Sequence, residues 1–148
     1  MKKIILSLIL AILSSLGIYA QNYSMHQKGV IAEISSYLRK NGYSIEERPN
    51  GLKFKSEGAS YYVEVSYEDK NPMFVSLKRY VKFGGSIKRA NVISNLDELN
   101  KSFGVKVIIL KNEVVLSSEL FISEALHFTY AFNTMFRQIQ SVYKEINN

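Results

Sequence analysis

The chain has 148 residues, 47% hydrophobic and 22% charged, with 19 Lys and Arg against 13 Asp and Glu. That is a globular balance, not a disordered or fibrous one. With no cysteine in the sequence, disulfides, thiolate metal sites, a lipoprotein anchor and a cysteine nucleophile are all excluded.

Met1-Lys2-Lys3 is a short positive start, and Ile4 to Ile18 is apolar except for Ser7, Ser14, Ser15 and Gly17, ending in Ile18-Tyr19-Ala20. A charged start, an apolar run too short to span a bilayer and a small residue at its end predict a cleaved signal peptide over residues 1–20. Residues 21–148 are then an exported domain, periplasmic or secreted, with no membrane insertion after cleavage. Removing the first 20 of 148 residues leaves 128, one domain's worth and enough to hold a core without staples. Losing Lys2 and Lys3 leaves 17 basic residues against 13 acidic ones, about +4. That charge is too dispersed for a phosphate-tracking groove, so no nucleic-acid partner is expected.

Met25, Val30, Ile31, Ile34, Tyr37 and Leu38 recur at three- and four-residue steps and predict a first helix, stopped at Asn41-Gly42. Period-two patterns follow. Tyr43 and Ile45 alternate with polar residues before the turn Arg48-Pro49-Asn50-Gly51, and Leu52 and Phe54 alternate with lysines before Glu57-Gly58. Tyr61, Val63, Val65 and Tyr67 share a face opposite Tyr62, Glu64 and Ser66. Beyond the polar turn Glu68 to Pro72, Met73, Val75, Leu77 and Val81 oppose Phe74, Ser76, Lys78, Tyr80 and Lys82. These loops are too short for parallel crossovers, so the strands are antiparallel. A second helix is predicted after a Ser86 cap, with the stripe Ala90, Ile93, Leu96, Leu99 and Phe103 closed by Gly104. Val105–Leu110 and Val114–Leu116 form a hairpin, expected to be central because its first strand is apolar on both faces. Ser123 is expected to cap a last helix bearing Phe128, Phe132, Met135, Phe136, Ile139, Val142, Tyr143 and Ile146.

The order α-β-β-β(-β)-α-β-β-α predicts a single two-layer α+β domain, an antiparallel sheet of about five strands with helices packed on one face. The other face is left open and carries Tyr62, Phe74 and Tyr80 amid Lys78 and Lys82. From Ala90 onward the details resemble the YbjN-like family, which shares the type III secretion chaperone-like fold. Asn91, Asn95, Leu99 and Asn100 carry the resemblance, with the hairpin Val105–Leu110 and Val114–Leu120, then Phe128 and Phe132. Glu57-Gly58, Tyr61–Val65 and Phe74–Leu77 suit the family's first sheet portion. The resemblance implies a protein-binding or regulatory domain, often dimeric, without catalytic residues. Members are typically cytoplasmic and often acidic, and this chain departs from them in both respects.

No residue pattern points to a cofactor or to catalysis. His26 and His127 lack further ligands at metal spacing, and Gly84-Gly85-Ser86-Ile87 is neither a nucleophile elbow nor a phosphate loop. Glu46-Glu47, Glu68-Asp69 and Asp97-Glu98 are solvated neighbours, with nothing to desolvate one member of a pair relative to the other. Lys78, Arg79, Lys82, Lys88 and Arg89 lie within twelve residues beside Tyr80 and Phe83 and suggest a basic, aromatic patch for an acidic partner or anionic surface. Asn91, Asn95 and Asn100 are unusually dense for a helix and suggest bonds to a partner or to the preceding loop. Phe136 and Tyr143 lie off the main stripe, where they suit a second subunit. The leading expectation is a non-enzymatic domain that binds a protein partner or itself through Tyr62, Phe74, Lys78, Tyr80 and Lys82. The alternative is a small-molecule or lipid carrier with a pocket lined by Phe54, Tyr61, Phe103 and Phe132.

Overall fold

A computed structural model describes residues 23–148, Phe103 apart. The leader predicted over residues 1–20 lies outside the described residues.

Helix α1 spans Met25–Lys40. Its start is fixed by a reciprocal cap, the Ser24 hydroxyl accepting from the Gln27 backbone N–H while the Gln27 side chain accepts from the Ser24 N–H. The same Gln27 amide donates to the Ser66 carbonyl at 2.8 Å, which ties the helix start to the end of a strand. The strands β1 (Ile45–Arg48), β2 (Gly51–Ser56), β3 (Ala59–Val65) and β4 (Met73–Lys82) follow as an antiparallel meander. The β2–β3 turn has positive φ at both central residues, 50° at Glu57 and 76° at Gly58. This is the turn geometry whose twist matches that of a hairpin, and glycine supplies its second position without strain. Short helices α2 (Arg89–Ser94) and α3 (Leu96–Ser102) lead into the hairpin β5 (Lys106–Ile109) and β6 (Glu113–Ile122), and helix α4 (Ala125–Asn147) follows.

The six strands form one sheet in the order β1-β2-β3-β4-β6-β5. Helix α4 packs across β6 and β4 and against α1, which covers β1 and β2. Between sheet and helices lies the core, with Val63, Val75, Leu77 and Leu116 meeting Ile34, Leu38, Phe128 and Ile139, all fully buried. The helices thus sit on one side, as the alternating patterns predict.

The sheet has six strands, the optional fourth strand of the first run being present. Three details differ from the sequence reading. The hairpin is not central through its first strand: β5 is an edge strand, and β6 lies between β4 and β5. β6 is the strand buried on both faces, from Val114 through Ser118. At the edge, Asn100 Oδ1 accepts the Val107 N–H at 2.7 Å, filling the place of a neighbouring strand. The middle helix divides at Asn95, whose N–H returns to the Asn91 carbonyl while Ser94 Oγ donates to that same carbonyl. Local side-chain bonding of this kind competes with helix continuation. Val92 and Leu99 are therefore the buried pair, and Ile93 faces solvent. Neither predicted serine cap forms: Ser86 Oγ donates to Asn147 Oδ1 and Lys88 is the cap residue of α2, while Glu124 takes that position on α4.

Candidate interaction surface on the open sheet face

Strand pairing places the open-face residues in rows across the sheet. One row is Phe74–Phe121 and the next is Glu64–Ser76–Glu119. Tyr62–Lys78–Ser117–Lys106 follows, and then Tyr80–Val115–Ile108. Among the described residues no helix covers these rows.

The predicted site residues Tyr62, Phe74, Lys78, Tyr80 and Lys82 all lie on this face, and four of them are held in local contacts. Lys78 Nζ pairs with Glu64 Oε2, and the Tyr80 hydroxyl donates to Glu64 Oε1 at 3.2 Å. The Tyr62 and Tyr80 rings meet edge to face at 5.1 Å, and Phe74 meets Phe121 the same way at 5.4 Å. Lys82 lies one pair further along, opposite Glu113. The floor between these taller side chains is small: Ser76 and Ser117 are each 1% exposed although no helix covers them. Ser76 Oγ is buried without a hydrogen-bond partner among the described residues.

Partial burial, then the nearby Glu64 carboxylate, pushes the Tyr80 phenol up to about 12. Both disfavour the phenolate. With the folded value above the unfolded one, the contribution to stability is complete below about pH 10 and is lost as pH rises through about 12. Alkaline unfolding curves are therefore expected to show stability falling between those limits, and less steeply in Tyr80→Phe. Equal slopes for the two proteins would refute this environment for Tyr80.

The sequence reading missed Phe121. It is 66% exposed between buried Ile122 and half-buried Leu120. The alternation of β6 past Ser118 would have revealed it, since an aromatic residue there interrupts the polar side of the strand.

Other expected groupings do not assemble. Arg79 leaves the basic run for the helical face, where its guanidinium donates to the Tyr61 hydroxyl at 3.2 Å and lies 3.4 Å from the Tyr143 ring centroid. Lys88 and Arg89 stand at the entry of α2. Tyr143 is thus held within the chain, and so is Phe136, 4.8 Å from Tyr61 and 5.7 Å from Phe132. Asn91 and Asn95 are exposed, and Asn100 binds the strand after it rather than the loop before. His26 and His127 are exposed, the former 3.5 Å from Asp69. Glu46 is held below the usual carboxylate range by its hydrogen bond from Lys53 and by Arg48, in an open, solvated cluster. Phe54, Tyr61 and Phe132 are each 1% exposed, with Phe54 5.4 Å from Tyr61 and 5.9 Å from Phe132. They pack on one another instead of lining a chamber, and Phe103 lies outside the described residues. A cleft of about 290 Å³ opens elsewhere, between α2, α3 and the end of α4.

An open antiparallel sheet in this order, with helices on one side only, is a YbjN-like fold. Two solved structures are similar to it. One is YbjN from E. coli, described as "a putative transcription regulator", with a TM-score of 0.61 and 16% identity over 79% of this chain and 90% of that one. The other is an uncharacterized protein from Methanothermobacter thermautotrophicus, with a TM-score of 0.57 and 13% identity over 79% of this chain and 96% of that one. At these identities the likeness is one of fold. No family model matches the chain, and no curated protein matches it.

Proposed function

We propose that the chain is an exported, non-enzymatic domain that binds another polypeptide through the open face of its sheet. Phe121 is the observation that carries this reading. An aromatic ring 66% exposed on β6, beside Phe74 and on the same face as the Tyr62–Tyr80 pair two and three rows away, is of a residue type that anchors protein interfaces. The apolar leader and its small-residue end support export. No helix among the described residues is long and apolar enough to cross a membrane. A transcriptional role like that ascribed to E. coli YbjN is not favoured, because the face alternates Lys with Glu rather than tracking phosphates.

The test is photo-crosslinking in the native cell envelope, with a benzophenone amino acid at position 121 or, as control, at Tyr130, which is 76% exposed on α4. The expected result is a polypeptide adduct from position 121 and none from 130, on protein whose mass lacks residues 1–20. Lys82→Glu combined with Tyr80→Ala should remove most of that adduct. An adduct from 130 alone, or equal adducts from both positions, would place the interface elsewhere.

A further inference from the structure

We propose that the polypeptide bound at Phe121 enters as an added strand beside the end of β6, pairing with Ser118–Ile122; this rests on the binding role assigned to the open face. The support is where the backbone points. β6 pairs with β4 along its whole length, from Glu113 opposite Lys82 to Ile122 opposite Met73. On its other side β5 reaches only from Ile109, opposite Val114, to Lys106, opposite Ser117. Ser118–Ile122 therefore have a strand on one side and, among the described residues, none on the other.

Successive residues of an antiparallel strand direct their backbone groups to opposite neighbours. The Leu110 N–H donates to the Glu113 carbonyl across β5 and β6, while the Phe83 N–H donates to the Asn112 carbonyl on the β4 side. Odd-numbered residues of β6 thus address the β5 side. Glu119 and Phe121 belong to that set, so their N–H and C=O groups point outward from the sheet. Such an edge is a template for an extended segment, with main-chain bonds supplying affinity and alternate side chains supplying selectivity.

The side chains define the occupant. An aromatic or β-branched residue suits the place beside Phe121, an apolar one that beside half-buried Leu120, and a basic one that beside Glu119. The Lys106 ammonium is 3.9 Å from the Glu119 carboxylate, a loose pairing that leaves room for a second cation. Running antiparallel to β6, the segment reads aromatic or β-branched, apolar, basic in its own chain order. A second copy of this chain fits less well. Pairing the whole stretch with itself sets Leu120 against Leu120 and Glu119 against Phe121.

The experiment repeats the cross-linking from position 121 in proteins altered at Glu119. Glu119→Pro removes an outward N–H that makes no bond to β4 and puts a ring in the path of an added strand. Glu119→Ala loses the carboxylate alone. The adduct is expected to be about tenfold weaker in Glu119→Pro than in Glu119→Ala. An adduct indifferent to Glu119→Pro, yet removed by Lys82→Glu with Tyr80→Ala, would overturn strand addition and leave the face as the binding surface. No adduct from position 121 in the parent would end both readings, and an adduct of two copies of the chain would overturn the choice of partner. A second measurement holds even if Glu119→Pro fails to fold. The nitrogen-15-labelled parent is titrated with the synthetic peptide acetyl-Thr-Val-Ile-Lys-Thr-amide, and with the same peptide methylated on its Val and Lys nitrogens. The plain peptide should shift the Glu119 and Phe121 amides most and slow their exchange, and the methylated one should not. Equal shifts from both peptides, or none from either at about 1 mM, would overturn the inference.

Discussion

Phe132→Ala is expected to cost about 3–5 kcal/mol, the range for emptying an aromatic site in a packed core. The ring sits 5.9 Å from Phe54, 5.8 Å from Phe128, 5.7 Å from Phe136 and 5.7 Å from Tyr43, and Tyr37 meets it edge-on at 5.8 Å. Five rings lose a neighbour at once. A domain of this kind has about 5–15 kcal/mol of total stability, so the loss is a large part of the whole. Urea unfolding followed by tyrosine fluorescence is the measurement. Phe121→Ala, equally aromatic but on the open face, should stay within about 0.5 kcal/mol of the parent as a monomer. Similar losses for the two would contradict the assignment of core and open face.

Gly51→Ala is the second large effect. Gly51 begins β2 at φ +142°, and a Cβ there would lie 2.0 Å from the Val63 carbonyl oxygen of the paired strand. Backbone cannot swing aside as a side chain can, so β2 and β3 must part at the register position that also joins Leu52 to Val63. Strain and clash together are expected to cost about 3 kcal/mol or more, lowering the melting temperature by about 10 °C. Gly58→Asn is the matched control. Its φ is +76° and a Cβ would meet nothing within 4 Å, and asparagine tolerates that region. A Gly51→Ala protein that melts with the parent would show that β2 and β3 are not held as described.

What was legible in the sequence follows from periodicity. Strands β3 and β4 alternate cleanly, so the faces of Tyr62, Phe74, Lys78, Tyr80 and Lys82 were readable residue by residue. The stripe of α4 from Phe128 to Ile146 was readable for the same reason. What failed was information that periodicity does not carry. An apolar run indicates burial but not which neighbour buries it, so β5 read as central when α3 and Asn100 shelter its edge. A serine before a helix is a cap only if the chain turns there, and Ser86 instead reaches Asn147, 61 residues away. The off-stripe rings of Phe136 and Tyr143 looked free because their partners, Tyr61 and Arg79, come from strands distant in sequence. The part of the candidate surface contributed by β6 is a long-range matter too: only the β4–β6 register brings Phe121 beside Phe74.

The bond from Asn100 to Val107 also limits how large an assembly can grow. A sheet extends sideways when unpaired backbone groups along an edge strand meet another chain. Here one edge strand has only four residues and has already given an outward N–H to a side chain. The strand at the other edge reads Ile-Glu-Glu-Arg and ends against a proline, a charged border that resists addition. Beyond the reach of β5, residues Ser118–Ile122 of β6 pair only with β4, so sideways addition is blunted along β1 and β5 and left open only along that short stretch.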